Sequence, residues 1–321
     1  MLEVYKFQKG GVKFGSLSGL SNKTKCWADC INPTEKELND ISEKARIPLA
    51  ELQEALDPEK RPMVLDLDNY SLIMVRAPWA ESKKILTTPV SIFISKNKNN
   101  VITISIKDLD PVKKIKRLIG TKKIDINEKG ISYFTYKLLD EIFNAYFSIL
   151  DNLEEKIDKL EDKVVEKPDK ITVRNIFSVK KALIFFHKAL TANREVIAAI
   201  EKEYVANIDK KNVKRFRSLY NDVTQLIETV GTYRDVLSGT LEIYVSSISN
   251  NLNQAIKTLT IGASFILIPT LIASIYGMNF NTSSPFNMPE LEWEYGYFFS
   301  LGLMTLSIIL TYLYFRRKGW M

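Results

Sequence analysis

The sequence is poor in the residues that build most metal and redox centres: its 321 residues include two cysteines and one histidine. Two cysteines exclude a disulfide scaffold and any multi-cysteine zinc module. Cys26 and Cys30 stand four apart in Lys25-Cys26-Trp27-Ala28-Asp29-Cys30-Ile31, which has the composition of a strand. With no second ligand pair in the chain, they read as small buried strand residues rather than a redox or metal pair. His187 lies in the apolar helical run Leu183-Ile184-Phe185-Phe186-His187-Lys188, and one histidine does not make a typical transition-metal site. Serine–histidine or histidine–carboxylate catalysis would need that same residue. No glycine-rich phosphate loop follows a strand or opens a helix. The reading is a protein that is not an enzyme.

Charge of one sign is also scarce. The net charge is +7, from 45 Lys and Arg against 38 Asp and Glu, and the two signs are interleaved, as in Lys156-Ile157-Asp158-Lys159-Leu160-Glu161-Asp162-Lys163. Pairs three or four apart make a solvated helix face, not an unbroken footprint for phosphates, so no nucleic-acid partner is expected. The chain opens with Met1-Leu2-Glu3 and has no apolar core of signal-peptide length there, so no targeting segment is read. The mean hydropathy, −0.09, suggests a soluble protein, but the average misleads. Residues 258–289 and 295–315 contain no charged side chain.

At about 150 residues per domain, the length allows about two domains. Short runs rich in Val and Ile, broken by Gly, Asn and Pro, predict strands at 2–7, 11–17, 25–31, 63–67, 70–76, 90–95 and 101–106. Thr34 and Glu37 have capping-box spacing, so a helix begins after Pro33, with Ile41, Ile47 and Leu52 as apolar points downstream. A second helix is expected over 111–119. This defines an α/β domain, 1–127. Residues 131–166 read as one long helix stopped by Lys167-Pro168, and 172–204 as its antiparallel return, giving a helical hairpin within 128–208. A third helix starts near Asp209. Phe216, Tyr220, Val223, Ile227, Val230, Tyr233 or Arg234, Leu237, Leu241, Val245, Ile248, Leu252, Ile256 and Leu259 recur three or four apart, a coiled-coil-like seam. The seam makes 209–257 a stalk that runs directly into an apolar segment. A helix from Asp209 to Tyr276 is about 100 Å long, far beyond a bilayer core of about 30 Å. Such a seam argues for oligomerisation about this helix.

Residues 258–278 and 295–315 are each long and apolar enough to cross a bilayer. The loop between them, 279–294, holds Glu290, Glu292 and Glu294 and no Lys or Arg, whereas Lys257 precedes the first span and the tail 316–321 begins Arg316-Arg317-Lys318. The positive-inside rule places both termini in the cytoplasm and the loop outside. Tyr276, Trp293, Tyr295 and Tyr297 stand where interfacial aromatics belong. The expected fold class is α+β with a membrane part in the cell (plasma or inner) membrane, and the lipid bilayer is one partner.

At the outer end of the first span the chain reads Tyr276-Gly277-Met278-Asn279-Phe280, followed by Met288-Pro289-Glu290-Leu291 in the loop and then by the basic tail. In this order and at these places the segment resembles the signature of the CorA family of magnesium transporters. The order of an α/β domain, a helical hairpin and a stalk continuing into a pore helix resembles the family over the whole chain. The resemblance implies a funnel-shaped homopentamer with five first spans around a central pore. Its cargo would be hydrated Mg²⁺, with Co²⁺ or Ni²⁺ as further candidates, and Mg²⁺ would also be the regulator.

The chemistry of the residues agrees. Mg²⁺ gives up water reluctantly, so a selective entrance holds the hydrated ion through oriented acceptors that still let it leave. A ring of Asn279 amides does this, with Met278 beside it and Gly277 letting the backbone turn at the helix end. Further in, Asn253, Ile256, Leu259, Ala263, Leu267, Thr270 and Ser274 share one stripe. Asn253 and Thr270 supply polar rungs, while Ile256, Leu259 and Leu267 supply apolar constrictions able to gate by dewetting. Pro269 removes one backbone bond and marks a point of flexing. By resemblance, acids of the cytoplasmic part bind divalent ions between subunits and hold the pore shut. Glu81 falls at one such place. The stalk counterpart falls at Ser218, which departs from the pattern, and Asp222 one turn along is the substitute. Glu242 is a third cation-facing acid. The alternatives are a zinc, cobalt or nickel transporter of the same superfamily, or a membrane-anchored coiled-coil sensor or scaffold. Met278 and the scarcity of Cys and His favour magnesium over a soft metal.

Overall fold

The computed structural model describes the chain except residues 9–10, 16, 18–19, 21–24, 82–83, 97–99, 122, 125, 167–168, 203–204, 206–207, 280 and 282–285. The predicted helix stop at Lys167-Pro168, Tyr204 at the end of the hairpin and Phe280 of the signature lie outside the described residues. The chain divides into two compact units, Met1–Leu241 and Glu242–Met321.

In the first unit the strands are β1 (Leu2–Gln8), β2 (Gly11–Gly15), β3 (Cys26–Ile31), β4 (Met63–Asp66), β5 (Tyr70–Glu81), β6 (Lys84–Ser95) and β7 (Asn100–Ser105). They form one sheet in the order β2-β1-β3-β7-β6-β5-β4. Only the β3/β7 pair is parallel. The helices are α1 (Glu35–Ala45), α2 (Leu49–Glu54), α3 (Asp110–Gly120), α4 (Ile126–Glu166), α5 (Lys170–Glu201) and α6 (Lys210–Tyr276), the last continuing into the second unit.

The capping box forms as read: the Glu37 N–H donates to Thr34 Oγ1 at 3.3 Å, and the Thr34 N–H donates to Glu37 Oε2 at 2.8 Å. The helix does not reach Leu52. Arg46 takes a left-handed backbone (φ 60°) as its C-cap, and α2 starts afresh after Pro48. The residue before a proline is pushed out of the helical region, so Ile47 could not continue α1. Within α4, Gly130 is non-helical at φ 82°, which sets the start of the regular helix at Ile131.

β5 and β6 run further than the sequence suggests, through Pro78 and Pro89. Pro78 pairs with Thr87 and Pro89 with Arg76. Both prolines lie beyond the ends of the outer partners, since β4 stops pairing at Met74 and β7 at Val90. A missing N–H is tolerated on a strand paired on one side only.

Side chains of β3 alternate between two cores. Cys26, Ala28 and Cys30 face the α1–α2 side, packed with Leu38, Ile41, Leu52 and Phe93. Both thiols are free and buried, and burial pushes their pKa up, as suits strand packing. On the other face Trp27 stacks on Tyr5 (5.0 Å) and meets Phe134 of α4 edge-on (5.2 Å). Asp29, 1% exposed, receives Lys116 of α3 at 2.6 Å and the Thr103 hydroxyl at 2.6 Å. Lys116 also reaches Glu3 at 2.7 Å and thereby holds the Glu3 carboxyl below its usual pKa. One ammonium thus fastens α3 to both β1 and β3.

A second polar joint fastens the helices to β5. Past Met74 no β4 residue pairs with β5, and Asn193 of α5 takes that place. Its Oδ1 accepts from the Arg76 N–H at 2.8 Å and its Nδ2 donates to the Arg76 carbonyl at 2.9 Å. The Tyr146 hydroxyl of α4 donates to that same carbonyl at 2.8 Å. Asn193 is fully buried, so truncation leaves the strand N–H without a partner and the carbonyl with Tyr146 as its remaining donor. Asn193→Ala is expected to cost about 1–3 kcal/mol per unpaired group. The thermal midpoint of the full-length protein should fall accordingly, and an unchanged midpoint would show the joint to be dispensable.

Candidate functional site

α6 changes character along its length. Up to Thr240 it buries a single stripe: Phe216, Leu219, Val223, Leu226, Val230, Leu237 and Thr240. The period is the one read from sequence, but the phase differs. Leu219 and Leu226 go in, while Tyr220 and Ile227 are half-buried. The apolar residues exceed what one stripe needs, so periodicity alone did not choose between neighbours.

In the second unit no residue of α6 from Glu242 to Tyr276 is buried. Leu259 is 73% exposed and Ile266 70%. The unit's other helix is α7 (Gly296–Arg317), of which only Ser300, Thr311 and Phe315 are buried. Helices this long, uncharged and apolar on every side are not stable in water, and they have the length of bilayer spans. Four of the five Ser and Thr hydroxyls of α6 between 258 and 276 bond within the helix. Thr258, Thr260, Ser264 and Thr270 each donate to the carbonyl four residues back, at 3.0, 2.8, 2.8 and 2.7 Å. Thr305 and Thr311 do the same in α7. This removes the cost of a bare hydroxyl in hydrocarbon.

Asn253, Ile256, Leu259, Ala263, Leu267, Thr270 and Ser274 are all exposed along α6. The helix runs through Pro269 and ends at Tyr276. The Gly277 N–H closes the last full turn on Ala273 O (2.9 Å), and Met278 N–H makes a tighter bond to Ile275 O (3.2 Å). Asn279 follows with its side chain exposed. Gly277 stands in the turn that ends the helix, without a left-handed backbone. Its constraint is steric: a Cβ there would lie 3.3 Å from the Ala273 carbonyl oxygen. The last carbonyls of α6 carry the negative end of the helix dipole, which favours a cation beside them.

The loop between the spans is built against this end. Met288 is left-handed (φ 53°) and opens a 3₁₀ turn, Pro289–Glu292. The Tyr276 hydroxyl donates to Glu290 Oε1 at 3.2 Å. The Asn287 amide donates to the Asn281 carbonyl at 3.0 Å. At the opposite end of the spans, Lys257 Nζ donates to the Gly319 carbonyl (3.2 Å) and lies 5.8 Å from the Trp320 ring. That ring stacks on Phe315 at 5.6 Å. Neither the Tyr276–Glu290 bond nor this latch was read from sequence. Tyrosine and tryptophan at span ends carry only the general signal of a bilayer interface.

The acids named for regulation are dispersed. Glu81 ends β5 and is exposed, and Glu242 is exposed at the start of the second unit. Asp222 is half-buried. Burial, then the nearby Asp140 carboxylate, raises its pKa, while Asp140 itself takes Lys137 Nζ at 2.7 Å. Asp140 is thus a further acid at this place that sequence reasoning did not single out. Ser218 is exposed. Among the described residues, no three His, Cys, Asp or Glu side chains gather as a metal site within one chain.

An α/β unit followed by two spans, the first ending in an exposed amide at the negative end of the helix dipole, defines a two-span membrane protein with a cation-favouring helix end. The family model for the CorA-like Mg²⁺ transporter protein matches residues 22–317, and the chain belongs to that family. It is 35% identical over 296 residues to the cobalt/magnesium transport protein CorA of Methanocaldococcus jannaschii, covering 92% of this chain and 90% of that one. The protein of the same name from Thermotoga maritima is 34% identical over 273 residues, 84% of this chain and 76% of the relative. The complete structure of the CorA magnesium transporter from M. jannaschii superposes with a TM-score of 0.89 at 31% identity, covering 100% of this chain and 99% of that one.

A Cβ at Gly296 would overlap the Glu290 carbonyl oxygen, and Glu290 is the residue that Tyr276 holds. Gly296→Ala should therefore displace the loop from the helix end and reduce Mg²⁺ uptake at normal protein level. Uptake equal to wild type in cells lacking other Mg²⁺ transport would show that the loop position does not matter.

Proposed function

We propose that the protein is a homopentameric channel that admits Mg²⁺ through the cell membrane, with both termini in the cytoplasm. Five copies of α6 line the pore, and a ring of Asn279 amides receives the ion with its water shell. The observation that carries this reading is the end of α6, where the exposed Asn279 follows directly on the last turn of the helix. Each helix end contributes about 0.3–1 kcal/mol toward a nearby cation. Five ends attract an ion without the grip of a carboxylate ring, so it is also released. Gly277 and Met278 complete the entrance.

Asn253, Ile256, Leu259, Ala263, Leu267, Thr270 and Ser274 face the axis. The Thr270 proton is committed to Ile266 O, which leaves its oxygen lone pairs as acceptors. That polarity suits the water shell of a cation. The membrane potential drives entry, at about 2.3 kcal/mol per charge per 100 mV. The relatives' name, cobalt/magnesium transport protein, supports Co²⁺ as a second cargo; Ni²⁺ is a further candidate.

Internal Mg²⁺ closes the pore by bridging acids of neighbouring subunits: Glu81, Asp222 with Asp140 beside it, and Glu242. A half-buried carboxylate next to a second one favours the protonated form unless a cation joins them. A threefold preference of Mg²⁺ for the closed ring is only about 0.65 kcal/mol per site, yet five sites total about 3 kcal/mol.

Purified protein in liposomes should pass Mg²⁺, and Asn279→Ala should abolish most of that flux while still cross-linking as a pentamer. Near-normal flux in an assembled mutant removes the entrance role of Asn279. Neutralising Glu81 and Asp222 together should shift inhibition by internal Mg²⁺ to higher concentration with ion preference unchanged. An unaltered inhibition curve would remove these two acids from the mechanism.

A further inference from the structure

We propose that the groove between β6, α4 and α5 binds a small amphipathic anion, one with an aromatic or short aliphatic body and a single carboxylate or sulfonate. The groove holds about 320 Å³, at the lower end of the range for small-molecule sites. Leu153, Val179 and Ala182 form its floor and are 3%, 2% and 6% exposed. Ile85 and Leu86 are half-buried walls, and Phe185 is left 37% exposed beside them.

The charge at the rim selects the occupant. Lys156 of α4 and Lys181 of α5 line the groove and are exposed. Two lysines close to them in sequence are engaged: Lys159 with Glu155 at 3.7 Å, and Lys180 with the Ser238 hydroxyl at 2.8 Å. Lys156 and Lys181 have no carboxylate partner among the described residues, and the Lys181 ammonium sits 5.9 Å from the Phe185 ring. Two cations over an apolar trough match a molecule with one anionic end and a greasy remainder. The volume fits a two-ring body and excludes a two-chain lipid. Because the groove joins a strand of the sheet to both helices of the α4–α5 pair, an occupant would touch all three. This site is separate from the spans, so its failure would leave the transport reading untouched.

The test uses 4-benzoylbenzoate, whose excited ketone inserts into C–H bonds within contact distance. Full-length protein in lipid nanodiscs is illuminated with the probe, digested and mapped by mass spectrometry. Adducts are expected on Ile85, Leu86, Leu153 or Phe185. The double variant Lys156→Gln, Lys181→Gln should reduce them about tenfold, the effect of about 1.4 kcal/mol. Both lysines are exposed, so these variants retain the fold. Lys156→Glu with Lys181→Glu should instead favour a benzophenone bearing a trimethylammonium group. Ser178→Trp, which fills the rim without changing charge, should also suppress labelling. Equal labelling by anionic, neutral and cationic probes would reduce the groove to an apolar patch and overturn the proposal. Labelling that arises only after the protein is dispersed into single chains would assign the groove to a second copy, and would overturn it equally.

Discussion

A bilayer offers the backbone no water, so every N–H and C=O inside it must bond within the chain. α6 meets that constraint except at Pro269, which has no N–H to offer the Phe265 carbonyl, and its Thr258, Thr260, Ser264 and Thr270 hydroxyls are folded back onto carbonyls of the same helix. The constraint lapses at Pro269 and where the ladder stops. Beyond Tyr276 only the Gly277 and Met278 N–H groups close back on the helix, to Ala273 O and Ile275 O, and the chain turns to Asn279. The polar chemistry of the spans is therefore concentrated at a helix end rather than along a helix wall. The loop answers the same end: Tyr276 reaches Glu290, and Gly296 has no side chain because the Glu290 backbone occupies that space.

In Met1–Leu241 the governing cost is different. The sheet is covered on both faces, so each polar group inside needs a partner in the protein. Lys116 between Asp29 and Glu3, and Asn193 across Arg76, are joints of this kind. Each links an element from the helical half to a strand far away in sequence, and each is worth most through what its loss would leave bare. Apolar packing around Trp27, Phe134, Tyr146 and Phe186 holds the layers together, while the polar joints fix their register.

The sequence was legible where one rule dominates. Thr34 and Glu37 announced α1, the uncharged stretches announced both spans, and Tyr276-Gly277-Met278-Asn279 pointed to the family to which the chain belongs. It was less legible where tertiary neighbours decide. Pro78 and Pro89 looked like strand breakers, yet one-sided pairing admits both. The stripe of α6 includes Leu219 rather than Tyr220 because α6 packs in a helical layer whose geometry no local pattern encodes. Arg46 ended α1 through a left-handed cap that only the following Ile47-Pro48 hinted at.

The proposed pore also explains why one neutral ring suffices at its mouth. Thr270 and Asn253 stand seventeen residues apart on the helix, about 25 Å, and the positions proposed to face the axis between them are Leu267, Ala263, Leu259 and Ile256. Nothing on that stretch replaces a lost water ligand. An ion stripped at the entrance would meet an apolar wall with no compensation, so Mg²⁺ must travel with its shell. Selection then falls to whatever recognises the hydrated ion before it enters, and Asn279 has the right polarity and the right place. The acids Glu290 and Glu292 of the loop between the spans act over about 8 Å at physiological salt, which raises the local concentration of cations. Attraction, recognition and passage are thus assigned to three different chemistries: carboxylates in water, amides at the helix end, and a dry stripe within.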